Sequence, residues 1–140
     1  MSPVNDSAGA FSFPVRVYYE DTDAAGIVYY ANYLRYLERA RTEWLRALGV
    51  EQLRLAQDTG LVFAVRALYI EYLKPARLDD RLAVLTELTL ARRAQVTLKQ
   101  WIERGGETLV EADVRIACLN ANTLKPAVLP IGIRKKMGGT

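Results

Sequence analysis

Tyr33-Leu34-Arg35-Tyr36-Leu37-Glu38-Arg39-Ala40-Arg41-Thr42-Glu43-Trp44-Leu45-Arg46-Ala47-Leu48-Gly49 is the stretch from which the architecture can be built. Tyr33, Leu34, Leu37, Ala40, Trp44, Leu45 and Leu48 recur at helical spacing, while Arg35, Glu38, Arg39, Glu43 and Arg46 occupy the remaining positions. The pattern predicts a helix with one apolar stripe, and Gly49 stands where its C-terminal cap is expected. Upstream, residues 13–19 are rich in β-branched and aromatic side chains and read as a first strand. Between strand and helix, residues 21–26 (Asp-Thr-Asp-Ala-Ala-Gly) form a loop by composition. Downstream, residues 50–58 suit a short second helix that Gly60 would end.

Four strand-like runs follow. Residues 61–73 are apolar on both faces apart from Arg66 and Glu71, which predicts a strand covered on both sides or lying at a subunit contact; Lys74-Pro75 then breaks it. Leu82, Val84, Leu88 and Leu90 alternate with more polar neighbours, as do Ala94, Val96 and Leu98. Arg92-Arg93 occupies the turn between those two runs, and Gly105-Gly106 marks the next hairpin. Val110, Ala112, Val114, Ile116 and Cys118 fill one face of the last strand, with Glu111, Asp113 and Arg115 opposite. A single apolar helix beside an antiparallel meander is an α+β arrangement, and the five-stranded sheet should curl around that helix. The expected organisation is a flexible arm (1–12), one domain (13–133) and a mobile basic tail (134–140).

The chain has no histidine, which excludes Ser-His-Asp and Cys-His catalysis and any metal site that needs imidazole. A hydrolase built from this composition turns first to a carboxylate. The one cysteine, Cys118, allows no intrachain disulfide and fits a reducing compartment; its inward register makes it a packing residue. No run is apolar enough for a membrane span, and the first residues lack the pattern of a signal peptide. A net charge of +3, with Lys and Arg interspersed among Asp and Glu, gives no nucleic-acid footprint and suits a small anionic ligand.

Asp21, Asp23 and Gly26 fall on the first, third and sixth positions of a calcium-loop pattern. Ala25 at the fifth and Asn32 at the twelfth position, where a bidentate Glu is required, break it, so no metal is expected. Asp21 suits a helix-capping or solvated role. Asp23 precedes a glycine turn that feeds a long helix, whose first N–H groups are unpaired and lie at the positive end of its dipole. Such donors can hold the oxyanion of a thioester while a nearby carboxylate attacks it or activates water.

The run Val17-Tyr18-Tyr19-Glu20-Asp21-Thr22-Asp23-Ala24-Ala25-Gly26-Ile27-Val28-Tyr29-Tyr30-Ala31-Asn32-Tyr33, with Arg35, Glu38 and Arg41, resembles the signature of the 4-hydroxybenzoyl-CoA thioesterase family. Within that family it is most similar to the Tol–Pal-associated acyl-CoA thioesterases. The resemblance implies a hotdog fold, a dimer or dimer of dimers with active sites between subunits, and hydrolysis of an acyl-CoA without a cofactor. It assigns the catalytic aspartate to Asp23 and the oxyanion donor to the backbone N–H of Tyr30, with Gly26 permitting the turn. Ile27, Val28, Tyr29 and Asn32 are the substrate-binding candidates around them. At position 30 this chain has tyrosine, as 4-hydroxybenzoyl-CoA enzymes do, where Tol–Pal-associated members usually have histidine; a backbone donor survives that exchange. The implied location is cytoplasmic or peripheral at the inner membrane. An acyl carrier protein thioesterase and a non-catalytic acyl-CoA-binding scaffold contacting inner-membrane-associated proteins are the alternatives.

Other charged residues admit two readings each. Arg92 and Arg93 suit a coenzyme A phosphate or a solvated turn, and Lys74 and Arg77 beside Pro75 are similar candidates. Glu38 and Glu43 are expected to pair with Arg41 or Arg39 at helical spacing rather than act as catalytic acids. Tyr29 and Tyr33 line an acyl tunnel or pack in the core, and Asn32 meets substrate or supports the helix start.

Overall fold

The computed structural model describes the backbone of Val4–Asp6 and residues 9–139 in full. Its elements are β1 (Val4–Asp6), β2 (Ala10–Arg16), a 3-10 turn (Tyr19–Asp21), α1 (Asn32–Ala47), α2 (Gln52–Thr59), β3 (Leu61–Tyr72), β4 (Arg81–Ala91), β5 (Gln95–Arg104), β6 (Glu107–Asn120) and α3 (Ile131–Met137). The strands form one antiparallel sheet in the order β1-β2-β4-β5-β6-β3. Five long strands wrap α1, which is the hotdog arrangement the resemblance implied.

The helical stripe faces the sheet as its spacing requires. Tyr33, Tyr36, Leu37, Ala40, Trp44 and Leu45 are buried, and Leu34 is the member of the stripe that stays exposed. Burying one such leucine contributes roughly 1.5–3 kcal/mol. Gly49 (φ +85°) and Gly60 (φ +73°) adopt the left-handed conformation that ends α1 and α2. One polar tie crosses the core. The fully buried Gln100 donates to the Leu37 carbonyl (3.1 Å) and to Thr86 Oγ1 (2.9 Å), and accepts from Arg41 (3.0 Å). Every buried polar atom in that tie thus meets a partner, which keeps its burial from being destabilising.

Two expectations need correction, and of the two readings of residues 61–73 the exposure of that strand leaves the subunit contact. The first strand begins at Ala10 rather than at residue 13, and β1 adds a short sixth strand. Ala10, Phe11 and Ser12 are buried because their small or apolar side chains fit beside β4, so these residues are not an arm. Met1–Pro3, Ser7 and Ala8 lie outside the described residues. At the other end, Arg134, Lys135 and Lys136 sit on α3, not on a loose tail. Buried Leu129 and Met137 anchor that helix, and its three cations occupy the last turn, where the helix dipole favours them. Finally, β3 is an edge strand. Val65, Tyr69 and Tyr72 on it are 51%, 61% and 43% exposed, so within one chain it is not covered on both sides.

Candidate active site

The segment between β2 and α1 is a compact knot held from both sides. Asp21 is buried, and its carboxylate accepts the Tyr18 N–H at 2.8 Å. Its carbonyl accepts from the Tyr29 N–H (3.0 Å) and from the Asn32 side-chain amide (2.9 Å). Asn32 therefore supports the helix start. Burial and the adjacent negative charge of Asp21 push the Tyr36 phenol well above its ordinary pKa, so that group stays neutral.

Asp23 faces the other way. It is exposed, and among the described residues the one hydrogen bond to its carboxylate comes from the Ala25 N–H at 2.9 Å. The turn closes through Gly26 N–H to Asp23 C=O (3.0 Å) and Asp23 N–H to Ile27 C=O (2.9 Å). Gly26 sits at φ +78°, a conformation that a side chain would strain. Four residues beyond Gly26, the Tyr30 N–H donates to no group among the described residues. A free N–H one residue ahead of Ala31, the N-cap of α1, has the character of an anion donor.

The loop after β3 clamps this segment. Val28 N–H donates to Ala76 C=O (2.9 Å), Ala76 N–H donates to Tyr33 Oη (3.0 Å), and Tyr72 Oη donates to Tyr30 C=O (3.3 Å). Tyr72 also meets the Tyr30 ring edge-on and the Tyr33 ring at 5.6 Å. Burial raises the pKa of Tyr33 against the lowering effect of the Ala76 N–H, and burial with neighbouring Tyr30 and Tyr33 raises that of Tyr72. The loop is itself pinned by Arg104, which bonds Asp80 (2.7 Å), Glu107 (2.9 Å) and Pro75 C=O (3.2 Å). Tyr72 and Ala76 were not singled out in the sequence. The one signal was the Lys74-Pro75 break, which says that the chain turns and not what it turns against.

The other site candidates divide. Tyr29 is exposed beside Tyr30, with ring centroids 5.0 Å apart, and Ile27 is half-buried in a bridge to Arg77. Val28 is a correction: it is 3% exposed and packed in the core, so it holds the loop and offers no surface to a substrate. Tyr33 packs in the core rather than lining an open tunnel. Lys74 pairs with Glu107, which leaves Arg77 as the cation carried by the bridge beside the Asp23 turn.

Arg92 and Arg93 lie in the β4–β5 turn, at the far end of β4 from the Asp80–Val17 contact that borders the Asp23 segment. One chain does not bring them to Asp23. Glu43 pairs with Arg46 and not with Arg39. Glu38 has no ion-pair partner among the described residues; it lines a cavity of about 170 Å³ with Arg41, Trp44 and Phe63. Burial lowers the pKa of Arg41 more than Glu38 raises it. Cys118 is buried, which raises its thiol pKa and fits packing rather than nucleophilic chemistry.

An exposed carboxylate held by one N–H of its own turn, and an N–H with no partner among the described residues, stand on one loop beside a sheet-wrapped helix. Comparison with known proteins gives the family. The model of the Thioesterase-like superfamily matches residues 17–137. The acyl-CoA thioesterase YbgC of Haemophilus influenzae is 47% identical over 120 residues, covering 86% of this chain and 88% of that protein. The acyl-CoA thioester hydrolase YbgC of Escherichia coli is 45% identical, covering 88% of this chain and 92% of that protein. A crystal structure of a probable thioesterase from Bartonella henselae superposes with TM-score 0.82 at 38% identity, covering 86% of this chain and 99% of that one. The chain belongs to the Thioesterase-like superfamily and is a thioester hydrolase.

Proposed function

We propose that this enzyme hydrolyses the thioester of an acyl-CoA to the free acid and coenzyme A, with Asp23 as the reacting carboxylate and the Tyr30 N–H as the oxyanion donor. The observation that carries the reading is the contrast within one loop. Asp21 is buried and tied to the fold, while the Asp23 carboxylate is exposed with a single bond from its own turn and the Tyr30 N–H meets no partner among the described residues. Two routes balance. Asp23 attacks the carbonyl carbon, expels the thiolate and leaves an anhydride that water cleaves; or Asp23 takes a proton from the water that attacks. In both, charge develops on the carbonyl oxygen, where a fixed N–H stabilises the transition state. No metal or organic cofactor enters either route.

The reading includes a homodimer or dimer of dimers. Supporting it, β3 presents a free sheet edge with Val65, Leu68, Tyr69 and Tyr72 exposed, an arrangement that invites pairing with a second strand. It also includes a cytoplasmic location and an association with the Tol–Pal system at the inner membrane; no helix among the described residues is long and apolar enough to cross a membrane.

The test follows thiol release from acyl-CoA esters of different chain length and aromatic type, for the wild type and Asp23→Asn. Turnover by the wild type and its loss in the variant are expected. Equal rates would remove Asp23 from the chemistry. Turnover confined to acyl carrier protein thioesters would change the partner and keep the reaction, and binding without thiol release would favour a scaffold.

A further inference from the structure

The outer face of the sheet, turned away from α1, carries a feature that the Asp23 loop does not use. Arg66 of β3, Arg92 of the β4–β5 turn and Arg115 of β6 converge on an open groove of about 660 Å³, with Gln95, Thr89 and Thr97 between them. Two strands and a turn, far apart in sequence, thus deliver three guanidinium groups to one place. No carboxylate pairs with any of them among the described residues, and the Arg66 guanidinium donates at 3.0 Å to the neutral Gln95 side chain. Like charges brought together without a counter-ion repel one another, and an anion relieves that repulsion.

Local backbone irregularities build the groove. The β3–β6 register shifts between Val65 and Ala67, leaving Arg66 as the extra residue, and the β4–β5 register shifts between Leu88 and Leu90, leaving Thr89. Bulges re-aim side chains, and two of the three in this sheet fall on groove residues. The surrounding charge is segregated as well. Along the same face Glu71, Glu111 and Asp113 gather around Lys99 in a separate hollow. An approaching anion is repelled at that end and drawn to the arginine end. Arg93 takes no part, since the groove includes Arg92 without its neighbour.

We propose that Arg66, Arg92 and Arg115 form a phosphate-binding groove on the outer sheet face. Planar guanidinium forks match the oxygens of a phosphate or diphosphate, and the Thr89 and Thr97 hydroxyls supply further donors. The assignment stands apart from the role of Asp23. The same phosphate chemistry occurs in the nucleotide half of coenzyme A and in an anionic lipid headgroup, and the experiment separates these sources.

Full-length protein is titrated calorimetrically with inorganic diphosphate and with coenzyme A at low salt, and sedimented with mixed phosphatidylglycerol–phosphatidylcholine vesicles. The double variant Arg66→Gln/Arg115→Gln is compared with Arg54→Gln/Arg81→Gln, which removes the same charge from exposed positions elsewhere. Saturable diphosphate binding by the wild type, weakened about tenfold or more in the groove variant and unchanged in the control, is the expected result. Coenzyme A competing with diphosphate assigns a soluble ligand; vesicle binding lost in the groove variant assigns the lipid headgroup. Absence of saturable binding by the wild type, or equal loss in both variants, overturns the groove. Arg115→Gln alone, with about a threefold loss, serves if the double variant melts early.

Discussion

The 3-10 turn ending at Asp21 and the turn that starts at Asp23 are neighbours in sequence and opposites in structure. The first ends in a buried residue: the Asp21 carboxylate accepts the Tyr18 N–H, and its carbonyl accepts from Tyr29 and Asn32. The second is exposed, and its carboxylate accepts one N–H from its own turn. Each carboxylate accepts one N–H, so burial and the two bonds to the Asp21 carbonyl make the difference: they tie Asp21 to the fold, while Asp23 is held by its own turn and stays accessible. The two turns separate those tasks, and the separation can be tested one residue at a time.

The largest effect is expected at Asp23. Asp23→Asn preserves size and the bond from Ala25 N–H but removes the charge, so thiol release should fall by about 100- to 10,000-fold with the melting temperature unchanged. Asp21→Ala should do the reverse. It leaves the Tyr18 N–H without its partner in a part-buried turn, at a cost of about 1 kcal/mol in urea unfolding, and the remaining folded enzyme should keep most of its activity. A stable but inactive Asp21→Ala protein would assign the chemistry to the wrong aspartate here.

Gly26→Ala comes next and tests how the exposed turn is held. Space is available for a methyl group, since no atom lies within 4 Å of an added Cβ, but φ +78° is unfavourable for alanine. The cost should be about 1 kcal/mol in stability. The rate should fall more than the stability does, because the strained bond lies inside the Asp23–Gly26 turn. Unchanged kcat with reduced stability would mean that the turn's exact shape is not used.

Much of this molecule was legible in its sequence, for reasons that also mark where reading stops. Side-chain periodicity reports burial on an element's faces, so α1 and the inner faces of β4, β5 and β6 could be read directly. Left-handed glycines report chain reversals, so Gly49 and Gly60 closed their helices as expected. The signature around Asp23 identified the family and the loop. The roles of Asp21 and Asn32 depend on where the loop returns, and Tyr72 at the end of β3 and Ala76 in the loop after it reach it from more than 40 residues away. Neither relation leaves a local pattern. Helix α3 was missed because three successive cations hide a helix anchored mainly by Met137 and the preceding Leu129. The arginine groove was missed because bulges at Arg66 and Thr89 break the alternation by which a strand's outward residues are counted.

The smallest effect concerns the clamp that holds the segment from outside. Burial alone would raise the pKa of Asp80, but the Arg77 N–H and the Arg104 guanidinium outweigh it and lower the value below 3.8. A carboxylate with a depressed folded-state pKa contributes stability that is present above the unfolded value, near pH 4, and lost as pH falls through the folded one. Glu107, lowered first by its bond to Lys74 and then by Arg104, acts in the same direction. Acidification below about pH 4 should therefore loosen the 74–80 loop, and with it the Ala76 carbonyl that anchors Val28. The protection of the Val28 amide against hydrogen exchange, taken relative to its intrinsic rate at each pH, should fall under those conditions, while that of Tyr18, bonded to buried Asp21, should fall less. In Asp80→Asn the Val28 amide should exchange faster at neutral pH and change less with acid. Equal acid response of the two amides, in wild type and variant alike, would show that the whole segment opens as one unit and that the two turns are not held independently.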